Sequence, residues 1–151
     1  MTTTQTGKSV RAFQPQDLQA VLDIWLTASI KAHDFIPESF WKEQLAAMAE
    51  IYLPAAQVFV YEEEGRVTGF SALYDNILAA LFVYPDCQGK GQGKSLLQHA
   101  ITHSEQPLSL SVYKANQPSV GFYRSQGFVI REERVCQHTG EPEYQMDLAS
   151  V

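Results

Sequence analysis

A glycine-rich run at residues 88–95, Gln-Gly-Lys-Gly-Gln-Gly-Lys-Ser, constrains the fold of this chain more than any other feature. It follows an apolar stretch at 77–84 and precedes a segment whose apolar residues recur at helical spacing, so a strand, a loop and a helix are expected. Glycine allows backbone turns that are closed to other residues, and the free amides at a helix N-terminus favour negative charge. The run therefore predicts a cradle for a ligand that carries phosphate.

The glycine spacing argues against two nucleotide-binding loops. A Walker loop ends in Gly-Lys-Ser, as at Gly93, Lys94 and Ser95, but it also requires glycine where this chain has Gln88. A dinucleotide fingerprint starting at Gly89 fails as well, because it would need a glycine at Lys94. Gln88, Gly91 and Gly93 instead fit the pattern Gln/Arg-x-x-Gly-x-Gly/Ala.

A second sequence motif lies between residues 110 and 128. It contains a strand, then Asn116, then a hydrophobic position before Phe122 and Tyr123, and finally Gly-Phe at 127–128. Together with the glycine run, this order and separation resemble the GNAT superfamily of N-acetyltransferases. The clear departure is Ser119, where the family usually has alanine, and this small-for-small change still allows close packing against a cofactor. The resemblance covers about 77–128, and the order of strands and helices agrees across nearly the whole chain.

This resemblance implies a binding site for acetyl-CoA as co-substrate, located where two parallel strands splay apart. The pantetheine arm would run along the backbone of one strand, and the loop amides would hold the pyrophosphate. The lysines would either contact the ligand or remain solvated, and the asparagine would either bind the cofactor or cap the next helix. The implied cofactor-binding residues are Leu81, Phe82, Val83, Gln88, Gly89, Lys90, Gly91, Gln92, Gly93, Lys94, Ser95, Asn116, Ser119 and Tyr123.

Tyr123 is the candidate catalytic acid. In the family that the chain resembles, the equivalent hydroxyl points at the cofactor sulfur, and a phenol with an ordinary pKa of about 10 holds its proton at neutral pH. The alternative is a tyrosine that only packs its helix on the sheet. The backbone amide of Val83 is a candidate to bind the developing oxyanion.

The general base is unassigned. Many relatives carry a glutamate on the strand before the loop, but this chain reads Leu-Ala-Ala-Leu at 78–81. His33 has a suitable ordinary pKa, although a surface or helix-capping histidine is the competing interpretation. Asp34, Tyr74 and Asp75 are weaker alternatives. The expected acceptor-binding residues are His33, Phe35 and Tyr74, with the loop at 137–143.

The pattern predicts one domain over residues 1–151 with an α/β (α+β) fold, a mixed sheet of about seven strands, and four helices. The strands at 77–84 and 108–113 should be parallel neighbours because a crossover helix joins them. The strand at 77–84 should be buried on both faces because it is continuously apolar. Strands are expected at 10–13, 58–61, 67–74, 77–84, 108–113, 128–136 and 144–148. Helices are expected to begin at Pro15, Pro37, near Leu96 and at Pro118.

The net charge of −6 argues against a nucleic-acid or anionic-lipid partner, because the chain lacks a basic footprint. The longest apolar run, 77–84, is far too short to span a membrane, and the N-terminus is not signal-like, so a cytoplasmic protein is expected. Cys87 and Cys136 are expected to be reduced thiols. His99 and His103 have metal-pair spacing but no zinc signature, and we expect them to be exposed with no metal bound.

The leading hypothesis is an N-acetyltransferase that moves an acetyl group from acetyl-CoA directly to a primary amine in a ternary complex. The acceptor is a small molecule or a protein amino group, and the protein is a monomer or homodimer. A noncatalytic acyl-CoA sensor is the alternative, favoured by the missing strand glutamate. A third hypothesis is a Walker-type phosphate-binding protein, which would bind ATP in the presence of magnesium.

Overall fold

Seven strands form one mixed sheet in the order β1-β2-β3-β4-β5-β7-β6. The computed structural model describes residues 8–149. All neighbouring strands are antiparallel except β4 and β5, which are parallel as expected. The strands are β1 (Lys8–Ala12), β2 (Gln57–Glu63), β3 (Arg66–Tyr74), β4 (Ile77–Val83), β5 (Ser109–Tyr113), β6 (Phe128–Val135) and β7 (Pro142–Leu148). The predicted fold class is confirmed.

The helices follow the predicted order, with one irregular region. Their bounds are α1 (Leu18–Ala32), α2 (Glu38–Glu43), α3 (Leu45–Ala47), α4 (Leu53–Ala55), α5 (Gln92–His103) and α6 (Gln117–Ser125). The second predicted helix is a chain of short segments, with a π-helix at Met48–Tyr52 between α3 and α4. Pro54 has no N–H to donate to the carbonyl of Glu50, so a regular α-helix cannot continue through this turn. Within residues 8–149, no helix is both long and apolar enough to cross a membrane.

The helices cover opposite faces of the sheet because side chains alternate along each strand. In β2, Val58 and Val60 belong to the buried cluster that includes Val21 and Ile24 of α1. Phe59, between them in sequence, belongs instead to the cluster that includes Leu97 of α5. Helix α1 therefore packs on one face and α5 on the other, and both reach the centre of the sheet.

Strands β4 and β5 diverge soon after they meet. Their one register pair joins Ile77 to Ser109, at the N-terminal ends of both strands. The expectation that this strand is buried on both faces is wrong, since Ile77 is 46% exposed and residues 80–82 are only half-buried. Because β5 leaves β4 after the first pair, the C-terminal half of β4 borders an open cleft.

Candidate active site

A cavity of about 440 Å³ lies in the cleft beside the C-terminal half of β4. It extends between the glycine-rich loop and the N-terminal half of α6, and α1 contributes one wall. The lining residues are Ala28, Ala32, Leu81, Phe82, Val83, Gln88, Gly89, Gly91, Gly93, Lys94, Asn116, Pro118, Ser119, Phe122 and Tyr123. The structure thus brings together two segments that the sequence separates by more than twenty residues, the loop and the start of α6.

The glycine-rich loop presents backbone rather than side chains to the cavity. Gly91 has φ +85° and directly precedes Gln92, the first residue of α5. A Cβ at Gly91 would meet no atom within 4 Å, so the backbone conformation, and not lack of space, demands glycine there. Among the described residues no side chain caps this end of α5, and its first-turn amides have no intrahelical partners. Such an end attracts an anion.

Three of the expected cofactor-binding residues do not line the cavity. Lys90 and Ser95 are exposed elsewhere on the loop and helix. Gln92 is buried and points into the protein, where its Oε1 accepts a hydrogen bond of 2.7 Å from Thr68 Oγ1. Its Nε2 donates to Glu63 Oε1 at 3.1 Å. The Gln92 side chain therefore anchors the start of α5 to the β2–β3 hairpin, which leaves only its backbone amide for a ligand.

Gln88 and Val83 are tied to each other where β4 ends. The Gln88 Nε2 donates to the Val83 carbonyl oxygen at 3.0 Å. Both residues line the cavity, so this bond fixes the path of the chain as it turns from the strand into the glycine-rich loop.

Tyr123 lies in the second turn of α6, and its side chain reaches the cavity. The residue is 9% exposed, and burial raises the pKa of its phenol above the ordinary value. Its ring packs edge-on against Phe122 and Phe128. Tyr123 is thus a protonated donor at neutral pH, placed beside the space that a ligand would fill.

Asn116 and His33 form a buried polar contact beside the cavity. Asn116 caps α6, since its Oδ1 accepts from the Ser119 backbone N–H at 3.4 Å. Its Nδ2 lies 3.2 Å from His33 Nε2. His33 occupies the C-cap position of α1 but is only 6% exposed, so the interpretation of a surface histidine is wrong. Its ring stacks on Trp41 with centroids 5.2 Å apart, and burial lowers the pKa of His33 to about 4.

The other two expected acceptor-binding residues lie in different places. Phe35 lines a second cavity of about 260 Å³ between the α1–α2 corner and the β6–β7 loop, beside Thr139 and Glu141. Tyr74 is 53% exposed and pairs with Ile77, at the end of β4 away from the cavity. A tight turn joins β3 to β4, so a residue at the end of β3 cannot reach the cleft. The expected role of Tyr74 does not fit this position.

Several residues around the cavity were not predicted from the sequence. Ala28 and Ala32 line it from α1, and their four-residue spacing places two small side chains on one helix face. Gly69 of β3 allows close packing behind the cavity, because a Cβ there would lie 3.0 Å from the Phe82 carbonyl oxygen and 3.1 Å from Leu96 Cδ1. A lone glycine inside a strand pattern signals such a close approach.

The remaining candidates carry no chemistry at this site. His99 is half-buried rather than exposed, and its ring stacks on His103 with centroids 4.1 Å apart. No cluster of three or more potential metal ligands exists among the residues that the structure describes. Cys87 and Cys136 are both free thiols.

Comparison with known proteins adds an independent finding. The sequence profile of the family described as "Acetyltransferase (GNAT) domain" matches residues 12–149. The chain is 37% identical over 122 residues to the peptidyl-lysine N-acetyltransferase YiaC of Escherichia coli K12, covering 80% of this chain and 83% of that protein. It is 28% identical over 144 residues to the peptidyl-lysine N-acetyltransferase YjaB of the same organism, covering 95% of this chain and 97% of that protein.

Solved structures agree on the fold. The solution structure of apo YjaB from Escherichia coli superposes with a TM-score of 0.82 at 26% identity, covering 95% of this chain and 99% of YjaB. The PaiA N-acetyltransferase of Thermoplasma acidophilum, solved in complex with coenzyme A, has a TM-score of 0.79 at 17% identity. The superposition covers 96% of this chain and 100% of PaiA. At 17% identity the similarity concerns the fold alone.

Proposed function

The chain belongs to the GNAT family of acetyltransferases, and from this premise we propose that it transfers the acetyl group of acetyl-CoA to lysine side chains of proteins. The amine attacks directly, within a ternary complex. One observation carries the proposal: a single cavity is lined by the glycine-rich loop, the free edge of β4 and Tyr123. The names of the relatives YiaC and YjaB support protein lysine as the acceptor.

The cavity fits the separate parts of acetyl-CoA. The amides at the start of α5 suit a pyrophosphate, because they are free and the helix dipole favours negative charge there. Within residues 8–149, β4 has no strand partner on the β5 side beyond Ile77, so its edge at Leu81 to Val83 is open to an amide-containing pantetheine arm. The exception is the Val83 carbonyl, which already accepts from Gln88 Nε2. Acetyl-CoA supplies the acetyl group as an activated thioester.

Tyr123 is the proposed general acid. As the carbon–sulfur bond breaks, its hydroxyl donates a hydrogen bond and then the proton to the leaving sulfur. The proton released by the attacking nitrogen restores the phenol, so the reaction is balanced as amide plus free thiol. Because burial raises the pKa of Tyr123, the phenol enters each turnover protonated.

The attacking amine must be neutral when it reaches the thioester. A lysine amine with an ordinary pKa of about 10.4 is almost entirely charged at neutral pH. Among the described residues, the cavity lining includes no carboxylate and no imidazole that could accept its proton. We infer that the proton leaves to solvent before attack, which is consistent with the absence of the strand glutamate at 78–81.

The substitution Tyr123→Phe tests this function. We expect kcat to fall by about 100-fold or more, in the range typical of a lost general acid, while the acetyl-CoA Kd stays within about twofold. The measurements are thiol release with a panel of lysine-containing peptides and calorimetric titration of acetyl-CoA. Tyr61→Phe is the matched control, because Tyr61 is similarly buried but does not line the cavity.

Three other outcomes would each contradict one part of the proposed function. Unchanged turnover in Tyr123→Phe would remove this residue from the mechanism. Tight acetyl-CoA binding by the wild type without thiol release from any amine would favour the sensor alternative. Acetylation of free N-termini but not of lysine side chains would contradict the proposed acceptor.

A further inference from the structure

The contact between His33 and Asn116 joins two elements that form different sides of the site. The residues are 83 positions apart in sequence, and the side-chain atoms Nε2 and Nδ2 lie 3.2 Å apart. Asn116 lines the main cavity, while the ring of Phe35, which lines the second cavity, packs against the His33 ring with centroids 5.7 Å apart. The His33–Asn116 pair thus stands between the two cavities.

The hydrogen bonds fix the tautomer of the imidazole. The Ser119 N–H must face an acceptor, so it faces Asn116 Oδ1, and the asparagine NH₂ group then faces His33. Nε2 is therefore the acceptor, and the ring proton is on Nδ1. Nδ1 is buried near the Ser29 backbone, and in the part of the chain that the structure describes no acceptor meets full hydrogen-bond geometry at this atom. Nε2 is thus the ring atom through which His33 acts on its surroundings.

We propose that His33 is a positioning residue of the acyl-CoA site: it orients the Asn116 amide, which in turn fixes the first turn of α6. This inference rests on the proposed function. Helix α6 carries Ser119, which lines the cavity, and Tyr123, seven residues after Asn116. A rotation of the asparagine amide would present NH₂ to the Ser119 N–H, two donors facing each other, and would release the start of α6.

The surroundings of His33 suit orientation and not proton transfer. The ring does not line either cavity, and it packs against Phe35, Trp41 and Tyr113. Of these neighbours only Tyr113 titrates, and burial raises the pKa of its phenol, so it stays neutral. A proton on Nε2 would face the Asn116 NH₂ group and break the contact. His33 therefore acts only as a neutral acceptor.

The test compares two substitutions at this position. His33→Phe keeps an aromatic ring against Trp41 but removes the acceptor, and we expect about tenfold weaker acetyl-CoA binding together with a lower kcat. His33→Gln supplies an acceptor oxygen near the position of Nε2 and should restore the affinity to within about threefold of wild type. Trp41→Phe is the control, since it alters the stack and leaves the hydrogen bond, and its Kd should stay within about twofold.

Two results would overturn the inference: His33→Phe binding acetyl-CoA as well as wild type, or His33→Gln behaving no better than His33→Phe. Absence of acetyl-CoA binding by the wild type would instead refute the proposed function, so the two failures are distinguishable.

A measurement on the free wild-type protein needs neither ligand nor variant. Long-range proton–nitrogen NMR of the His33 imidazole should show a protonated Nδ1 and a bare Nε2 from about pH 5.5 to about pH 8. A protonated Nε2, or titration near the ordinary histidine pKa of about 6.5, would overturn the inference even if every variant failed to fold.

Discussion

Two walls of the main cavity are held in place by different interactions. The loop wall, residues 88–94, relies on backbone conformation: Gly89 and Gly91 have φ near +80°, and a Cβ at either would touch nothing. The corner wall consists of Asn116, which lines the cavity, and of the buried side chains behind it, His33, Phe35, Trp41 and Tyr113. It relies on side-chain packing between α1, α2, β5 and α6. One wall is local in sequence and the other is assembled from distant segments.

This difference predicts separate consequences for stability and binding. A change in the corner wall disturbs buried packing and a buried polar group, so it should alter the free energy of unfolding. A change in the loop wall disturbs exposed backbone that packs against little, so it should alter ligand affinity first. Stability and ligand affinity should therefore respond differently to changes in the two walls.

The largest effect should be acid destabilisation through the corner wall. The pKa of His33 is about 4 in the folded protein, below the ordinary value of 6.5. The unfolded chain therefore binds this proton more readily between those values, and the stability present above about pH 6.5 is lost as the pH falls towards 4. The loss should approach about 3 kcal/mol.

Urea unfolding at a series of pH values measures this loss. Asp17 and His99 also have lowered pKa values and contribute their own acid slopes, so wild type must be compared with His33→Phe. The variant should lose less stability than wild type between about pH 6.5 and 4. Equal slopes would show that His33 is not buried in a neutral form.

The second effect concerns the loop wall. An alanine at φ +85° costs about 1–2 kcal/mol, so in Gly91→Ala we expect the loop to avoid the strain by relaxing away from its binding conformation. We expect roughly tenfold weaker acetyl-CoA binding in calorimetry, with a smaller change in unfolding free energy. Gly121→Ala is the matched control, because Gly121 is helical and its Cβ site is open, so that variant should bind normally. A large loss of stability in Gly91→Ala would mean that the loop wall, like the corner wall, contributes to folding.

The contrast between a local wall and an assembled wall explains which features could be predicted from the sequence. The strands, the parallel β4–β5 pair and the loop wall follow local patterns of apolar residues and glycines, and all were predicted. The position of Tyr74 also follows from a local pattern, since the short turn at 75–76 puts it opposite Ile77 at the far end of β4. This hairpin argues against a role for Tyr74 in acceptor binding.

The burial of His33, in contrast, cannot be predicted from the local sequence. A histidine after a helix, in an irregular segment, resembles a solvated cap, and nothing near it in sequence indicates burial. Its partners Tyr113 and Asn116 lie about eighty residues further along and approach it only when β5 and α6 dock against α1. Packing between distant elements decides the environment, as it also does for Ala28 and Ala32 at the cavity.

The smallest effect separates two lysines of the glycine run that the sequence treats alike. Lys94 lines the cavity, whereas Lys90 is exposed away from it. A partly solvated charge near a phosphate contributes about 0.2–1 kcal/mol, so Lys94→Gln should weaken acetyl-CoA binding by about threefold and Lys90→Gln by less. Because salt screens such a charge, the difference should shrink as ionic strength rises. Equal effects from both substitutions would mean that the loop attracts the ligand through its overall field, and that the backbone amides alone decide where it binds.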